Sequence, residues 1–294
     1  MQKIIPHLWF DKEAKEAAEF YVSVFKNSKV NSINTLHDTP SGSVDIVSAT
    51  ISNFDFVFLS AGPHFKINPS ISFIVILPTP EDVEAIWNKI SVGGTALMEL
   101  GEYPFSKKYG WIQDRYGVSW QIIFMEENVL KQDIVPTLMF TKERAGKAEE
   151  AINFYASIFK NSEVKYLYRY EKNESPEDEG TIKYSEFILE GQYFSAMDSK
   201  QAHEFVFNEA TSFMVNCDTQ EEIDYYWNKL SAVPEAEQCG WLKDKYGVSW
   251  QIVPSNLDDL LNRGTPEQVE RVTQAFLMMK KFDLAELDRV YKSN

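Results

Sequence analysis

The strongest constraint on this chain is that it is written twice. Glu19-Phe20-Tyr21-Val22-Ser23-Val24-Phe25-Lys26-Asn27-Ser28 recurs as Asn153-Phe154-Tyr155-Ala156-Ser157-Ile158-Phe159-Lys160-Asn161-Ser162. The segment from Gly110 to Ile122 recurs from Gly240 to Ile252, differing only at 112/242, 113/243 and 115/245. Between these anchors Ile71-Ser72-Phe73 matches Thr211-Ser212-Phe213, and Trp87-Asn88-Lys89-Ile90 matches Trp227-Asn228-Lys229-Leu230. The order is kept while the offset drifts between 130 and 140, as loop insertions and deletions produce. A repeat of this length means two copies of one domain: 1–128 and 131–255, with a helical tail over 256–294.

Within a copy the hydrophobic period switches repeatedly. Ile4 to Phe10 reads as a strand, and Lys12 to Phe25 places Ala14, Ala17, Ala18, Tyr21, Val24 and Phe25 on one helical face. Strand-like segments follow near 29–36, 44–52 and 54–60. A second cycle runs through a strand at 71–77, a helix from Pro80 to Ile90, and strands near 95–99, 109–113 and 118–124. Each copy is therefore βαβββ written twice. The expected fold class is α+β: curved antiparallel sheets around a cleft, helices outside, and each half enclosing a cleft of its own.

With 294 residues the chain is right for two domains of about 100–150 residues each. Asp and Glu outnumber Lys and Arg by 44 to 29, giving a formal charge of −15. Phosphate backbones are bound by basic surfaces, so nucleic acid is not an expected partner. No apolar run approaches the roughly 20 residues of a membrane span. The opening Met1 to Pro6 leads straight into a strand pattern, so a cytoplasmic protein is expected. Cys217 and Cys239 both fall in the second copy without counterparts in the first, which suits free thiols better than a disulfide.

The opening Pro6-His7-Leu8-Trp9-Phe10, the helix through Glu19-Phe20-Tyr21 to Phe25, Gly62-Pro63-His64-Phe65 and the closing hairpin Gly110 to Ile122 resemble the vicinal oxygen chelate superfamily of glyoxalases, bleomycin-resistance proteins and extradiol dioxygenases. Asn208-Glu209-Ala210, the helix from Glu221 to Trp227 and Cys239 to Pro254 carry the same resemblance in the second copy. More narrowly, the chain resembles the PhnB-like branch that carries the label 3-demethylubiquinone-9 3-methyltransferase. The resemblance implies a divalent metal held by three or four His/Glu ligands on inward strand faces. Its first-strand position falls at Pro6 and Pro136, its fourth-strand position near Ser60 and Met197, its fifth-strand position near Ser72 and Ser212, and its last-strand position at Gln121 and Gln251. Proline and serine are poor ligands and Gln is a weak one. No metal or other cofactor is therefore expected, a divalent ion being the lesser alternative.

Other site candidates come from the residues themselves. Ser119, Gln121 and Ile123 alternate with Val118, Trp120 and Ile122, so if the Trp face packs on helices, Gln121 and its copy Gln251 face the cleft. There an amide can orient a ligand or satisfy neighbouring backbone. His64 and His203 precede the fifth strands, with Asn68, Asn208 and Glu209 nearby. They can line the cleft mouth as polar anchors or acid/base groups, or be loop residues with local bonds. His7 lies one residue off the ligand register, so alternation from Pro6 turns it toward the helices, and His37 sits in an apparent loop.

No GxGxxG, GxSxG, HExxH or P-loop occurs, and the missing glycine-rich turn argues against an S-adenosylmethionine site of Rossmann type. In the tail, Thr265-Pro266 opens a helix whose stripe Val269, Val272, Ala275, Phe276, Met279 must be covered, by a domain or by a second copy in a homodimer. The leading expectation is a small-molecule-binding protein with an aromatic-lined, metal-free cleft. The alternatives are a glyoxalase- or dioxygenase-type metalloenzyme using His64, Glu209 or His203, and a structural module without an open cleft.

Overall fold

A computed structural model describes residues 2–39, 41–128 and 130–293, with only the backbone of Asp38. The first module is β1 (Ile4–Phe10), α1 (Ala14–Val24), β2 (Lys29–Thr39), β3 (Gly42–Ile51) and β4 (Phe54–Ser60). The second is β5 (Ile71–Leu77), α2 (Pro80–Ile90), β6 (Thr95–Tyr103), β7 (Ser106–Gln113) and β8 (Ser119–Phe124). The third is β9 (Ile134–Thr141), α3 (Ala148–Ile158), β10 (Glu163–Arg169), β11 (Ile182–Leu189) and β12 (Gln192–Ser199). The fourth is β13 (Thr211–Cys217), α4 (Gln220–Leu230), β14 (Trp241–Lys243) and β15 (Ser249–Pro254), followed by α5 (Leu257–Arg263), α6 (Pro266–Leu277) and α7 (Leu284–Lys292).

The α+β class and tandem organisation stand as expected, but the modules share sheets in an unexpected way. Among the described residues one seven-stranded sheet runs β14-β15-β13-β1-β4-β3-β2, and one eight-stranded sheet runs β10-β11-β12-β9-β5-β8-β7-β6. The first sheet thus joins modules one and four, and the second joins modules two and three. The seams are antiparallel pairs, with His7 opposite Ser212 across β1–β13 and Ser72 opposite Thr137 across β5–β9. The expectation that each half encloses its own cleft is corrected by these pairings. Each sheet takes one module from each half.

What each half does own is its helix-side core. The helix face of α1 buries Ala14, Ala17, Ala18, Tyr21 and Val24 against β3 and β4. Tyr21 then meets Trp120 of the second module at 5.2 Å, and Phe56 meets Phe73 at 5.0 Å. The turn before β8 locks this arrangement. Asp114 accepts from Tyr21 Oη (2.6 Å), Trp120 Nε1 (2.9 Å) and the backbone N–H groups of Tyr116 and Val118 (2.8 and 3.0 Å). Asp244 repeats all four bonds with Tyr155, Trp250, Tyr246 and Val248. The aspartate repeated in the two hairpins is therefore a buried structural carboxylate, and burial raises the pKa of both acids.

The fourth module has no counterpart of β6 among the described residues. The edge it would cover is taken by the tail: the N–H groups of Cys239 and Gly240 donate to the carbonyls of Met279 (2.8 Å) and Lys280 (2.7 Å). From there α6 reaches β2, at the opposite edge of the same sheet, and buries Val272 and Phe276. No helix among the described residues is long and apolar enough to cross a membrane.

Candidate functional site

Which side chains face each cleft follows from alternation against the core. On β1, Ile4, Leu8 and Phe10 belong to the helix-side core, Phe10 stacking on Phe58 at 6.0 Å and Phe58 lying 5.9 Å from Tyr21. Ile5, His7 and Trp9 consequently occupy the inner face. The expected assignment is reversed: Pro6 lies on the helix side and His7 in the cleft. Ser60 also turns to the helices, where its Oγ accepts from the Ala14 N–H (3.0 Å). Gln121 and Gln251 do lie opposite the Trp face, since Trp120 and Trp250 are in the core and bonded to Asp114 and Asp244.

Strand register then sets a row across the inner face of the first sheet. His7 is opposite Ser212, Ser212 is opposite Ser249, and Ser249 is opposite Lys243. A parallel row places Ile5, Met214, Gln251 and Trp241 side by side. Gln251 Nε2 donates to Ser212 Oγ (2.9 Å), tying the rows together. Trp241 leans across the face to meet His7 edge-on at 5.4 Å and Trp9 at 6.2 Å. At the end of the row Lys243 Nζ pairs with Glu209 at 2.6 Å, both side chains about a quarter exposed. Trp9 also lines a surface cavity of about 500 Å³ with Phe65, Lys66, Arg115 and Tyr116.

The second sheet carries the same scaffold with different chemistry. Thr137 replaces His7, Met139 replaces Trp9, and Gln113 replaces Lys243. Gln121 Nε2 donates to Ser72 Oγ (2.8 Å), and Tyr109 Oη donates to Gln121 Oε1 (2.8 Å). Trp111 Nε1 donates to Ser119 Oγ (2.8 Å). Gln113 Nε2 is committed to the Gly117 carbonyl (3.0 Å). On this floor Ser195 Oγ is buried without a hydrogen-bond partner among the described residues.

Two such atoms stand in the first cleft: His7 Nδ1 and Ser249 Oγ find no partner among the described residues. His7 is 4% exposed. Burial strips the hydration an imidazolium requires and lowers its pKa to about 3, so the ring is neutral at physiological pH. A neutral imidazole offers one donor and one acceptor but no charge.

The remaining sequence candidates scatter. Asn68 donates to the Val206 carbonyl (3.0 Å) and accepts from the Ser70 N–H, while Asn208 donates to the Lys66 carbonyl (2.9 Å) and accepts from the Ala210 N–H. These two amides stitch the symmetric linkers together. His203 Nε2 bonds Ser199 Oγ (2.9 Å), and partial burial lowers its pKa. His64 is exposed and lies edge-on to Trp9 at 6.3 Å. Thus Gln251 and Ser212 gather with His7 in one cleft, Gln121 and Ser72 in the other, and Glu209 marks the rim of the first.

A family model described as 3-demethylubiquinone-9 3-methyltransferase matches residues 2–123 and again 132–253. The chain belongs to this family. Among solved structures, a putative 3-demethylubiquinone-9 3-methyltransferase, PhnB protein, from Bacillus cereus is 34% identical, covering 42% of this chain and all of its own, with a TM-score of 0.40. Glyoxalase I from Zea mays is 13% identical, covers 88% of this chain and 96% of its own, and has a TM-score of 0.55. A putative dioxygenase from Bacillus subtilis is 11% identical over 86% of each chain, with a TM-score of 0.49. No curated protein matches the chain. The chain shares the fold of glyoxalase I.

The divalent metal implied by the sequence resemblance does not fit the residues present. The inner-face positions of the first cleft supply His7, Ser212 and Gln251, and those of the second supply Thr137, Ser72 and Gln121. One imidazole with two neutral oxygens lacks the anionic or multiple-nitrogen set that holds a divalent transition ion. Among the described residues no three His, Cys, Asp or Glu side chains are grouped to share one.

Proposed function

We propose that the chain binds a small, flat, uncharged molecule in the inner face of the first sheet, without a metal ion. The observation that carries this is the buried His7 imidazole, whose Nδ1 has no partner among the described residues, with the equally unpartnered Ser249 Oγ two strands away in the same row. An unsatisfied buried polar atom costs about 1–3 kcal/mol, and folds keep one where something else satisfies it. Neutral His7, Ser212 and Gln251 form a polar strip with both donors and acceptors and no net charge. Trp9 supplies an apolar wall. Such a strip matches a ring carrying an amide, carbonyl or ring nitrogen, and rejects a free carboxylate or phosphate. The methyl-transfer chemistry in the family's description forms no part of this reading.

Saturation-transfer NMR against a panel of neutral heteroaromatic fragments tests it. Binders are expected for the wild type, with affinity falling about tenfold in His7→Ala, one hydrogen bond's worth, and unchanged in Thr137→Ala. Equal loss in both variants would sink the assignment to the first cleft. The same burial favours a second reading, a structural module with filled clefts, which a panel without binders would support.

A further inference from the structure

The two copies of the closing hairpin hold one tryptophan in two different states. In the second sheet Trp111 lies down on its own hairpin, Nε1 bonded to Ser119 Oγ at 2.8 Å. In the first sheet the equivalent Trp241 stands off the equivalent Ser249, whose Oγ is left unpaired, and fills the cleft against His7 and Trp9. The register is identical: Trp111 is opposite Gln121 and Trp241 opposite Gln251, while Ser119 and Ser249 occupy the same position on β8 and β15. The Trp111 arrangement is therefore stereochemically open to Trp241. The difference lies across the cleft, where Thr137 and Met139 offer no ring and His7 and Trp9 offer two.

We propose that Trp241 is the gate of the first cleft. Swinging onto Ser249 as Trp111 sits on Ser119, it vacates a space of its own shape beside Trp9 and His7, which a flat, uncharged, bicyclic heteroaromatic molecule with one donor and one acceptor then occupies. The exchange conserves interactions. Trp241 gives up two edge-on aromatic contacts and gains a hydrogen bond that satisfies Ser249. The ligand restores the aromatic contact to Trp9 and satisfies His7 Nδ1. Trp9 also lines the 500 Å³ surface cavity at Phe65 and Arg115. This inference rests on the first cleft being a binding site and adds how it opens and what shape it accepts.

Because only the open form binds, apparent affinity is the intrinsic affinity scaled by the open fraction. The test is titration of benzimidazole at pH 7.5, where it is uncharged, into full-length protein by calorimetry. Trp241→Ala, with no gate to displace, is expected to bind at least about tenfold more tightly than wild type. Ser249→Ala, which removes the open form's resting bond, is expected to bind about three- to tenfold more weakly. Ser119→Ala, the copy in the other cleft, should match wild type. Trp241→Phe provides a second gate variant with less lost volume and should fall between wild type and Trp241→Ala. If Trp241→Ala binds but Ser249→Ala equals wild type, the gate is overturned and the site stands. If neither Trp241 variant binds benzimidazole, the space beside His7 is not a ligand site, and both inferences fail.

Discussion

At the scale of single residues, His7 links the cleft to stability. Its imidazole is held neutral by burial, with a pKa near 3 against about 6.5 in an unfolded chain. Below pH 6.5 the unfolded chain takes up a proton that the folded chain refuses. The stabilisation is thus complete above about 6.5 and fades as the pH falls toward 3, reaching at most about 5 kcal/mol. Replacing His7 by Thr, the residue of the other copy, should flatten the acid limb of a urea-midpoint profile between pH 6.5 and 3. An unchanged limb would mean that His7 is solvated and protonates freely. The face that His7 occupies was not legible in the sequence, for a physical reason. Ile4 to Phe10 is hydrophobic on both sides, so the two-residue period that reveals a half-exposed strand is erased. Gln121 and Gln251 were legible because Trp120 and Trp250 mark the opposite face.

At the scale of elements, the tail shows what a deletion costs and how it is offset. Between Trp227 and Gly240 the second copy is ten residues shorter than the first between Trp87 and Gly110, since the offset falls from 140 to 130. That loss is the missing counterpart of β6. It was visible as a drift in the repeat, and the stripe of Val272 and Phe276 was visible as needing cover. The docking place was not, because it depends on an edge that only the folded sheet exposes. Phe282 seals the join: a Cβ on Gly240 would lie 2.4 Å from its ring, and Gly240 has φ +82°. Gly240→Ala should therefore destabilise by about 2–4 kcal/mol, combining left-handed strain with overpacking. Adding Phe282→Ala removes the overpacking alone, so the double variant should lose at least about 1 kcal/mol less than the sum of the singles. Cys239, half-buried beneath the Leu277 carbonyl, should react faster with a thiol reagent in both single variants. Additive urea midpoints and an unaltered thiol rate would place Phe282 outside the join.

At the scale of the molecule, the repeat revealed which modules are alike but not which edges meet. β1 and β9 are equivalent, as are β5 and β13, so closure within a half and closure between halves satisfy the same ladder of hydrogen bonds. The helix side decides between them. Tyr21, Asp114, Trp120, Phe56 and Phe73 bind modules one and two back to back, which turns the free edges of β1 and β5 away from each other. Each must then find its partner in the other half, at β13 and β9. A half on its own keeps its buried carboxylate and aromatic core but presents two unpaired strand edges, a state that proteins avoid by pairing. Residues 1–128 alone should therefore fold and sediment as a dimer, β1 of one copy pairing with β5 of the other. In that dimer His7 faces Ser72 and Gln121 instead of Ser212 and Gln251. Mixing with residues 131–294 should shift the population toward the mixed pair, in which the tail again covers the edge at Gly240. Sedimentation velocity distinguishes these species by mass. A folded, monomeric first half at micromolar concentration would show that the edges of β1 and β5 tolerate water, and that closure between halves is a preference of the intact chain and no requirement of the fold.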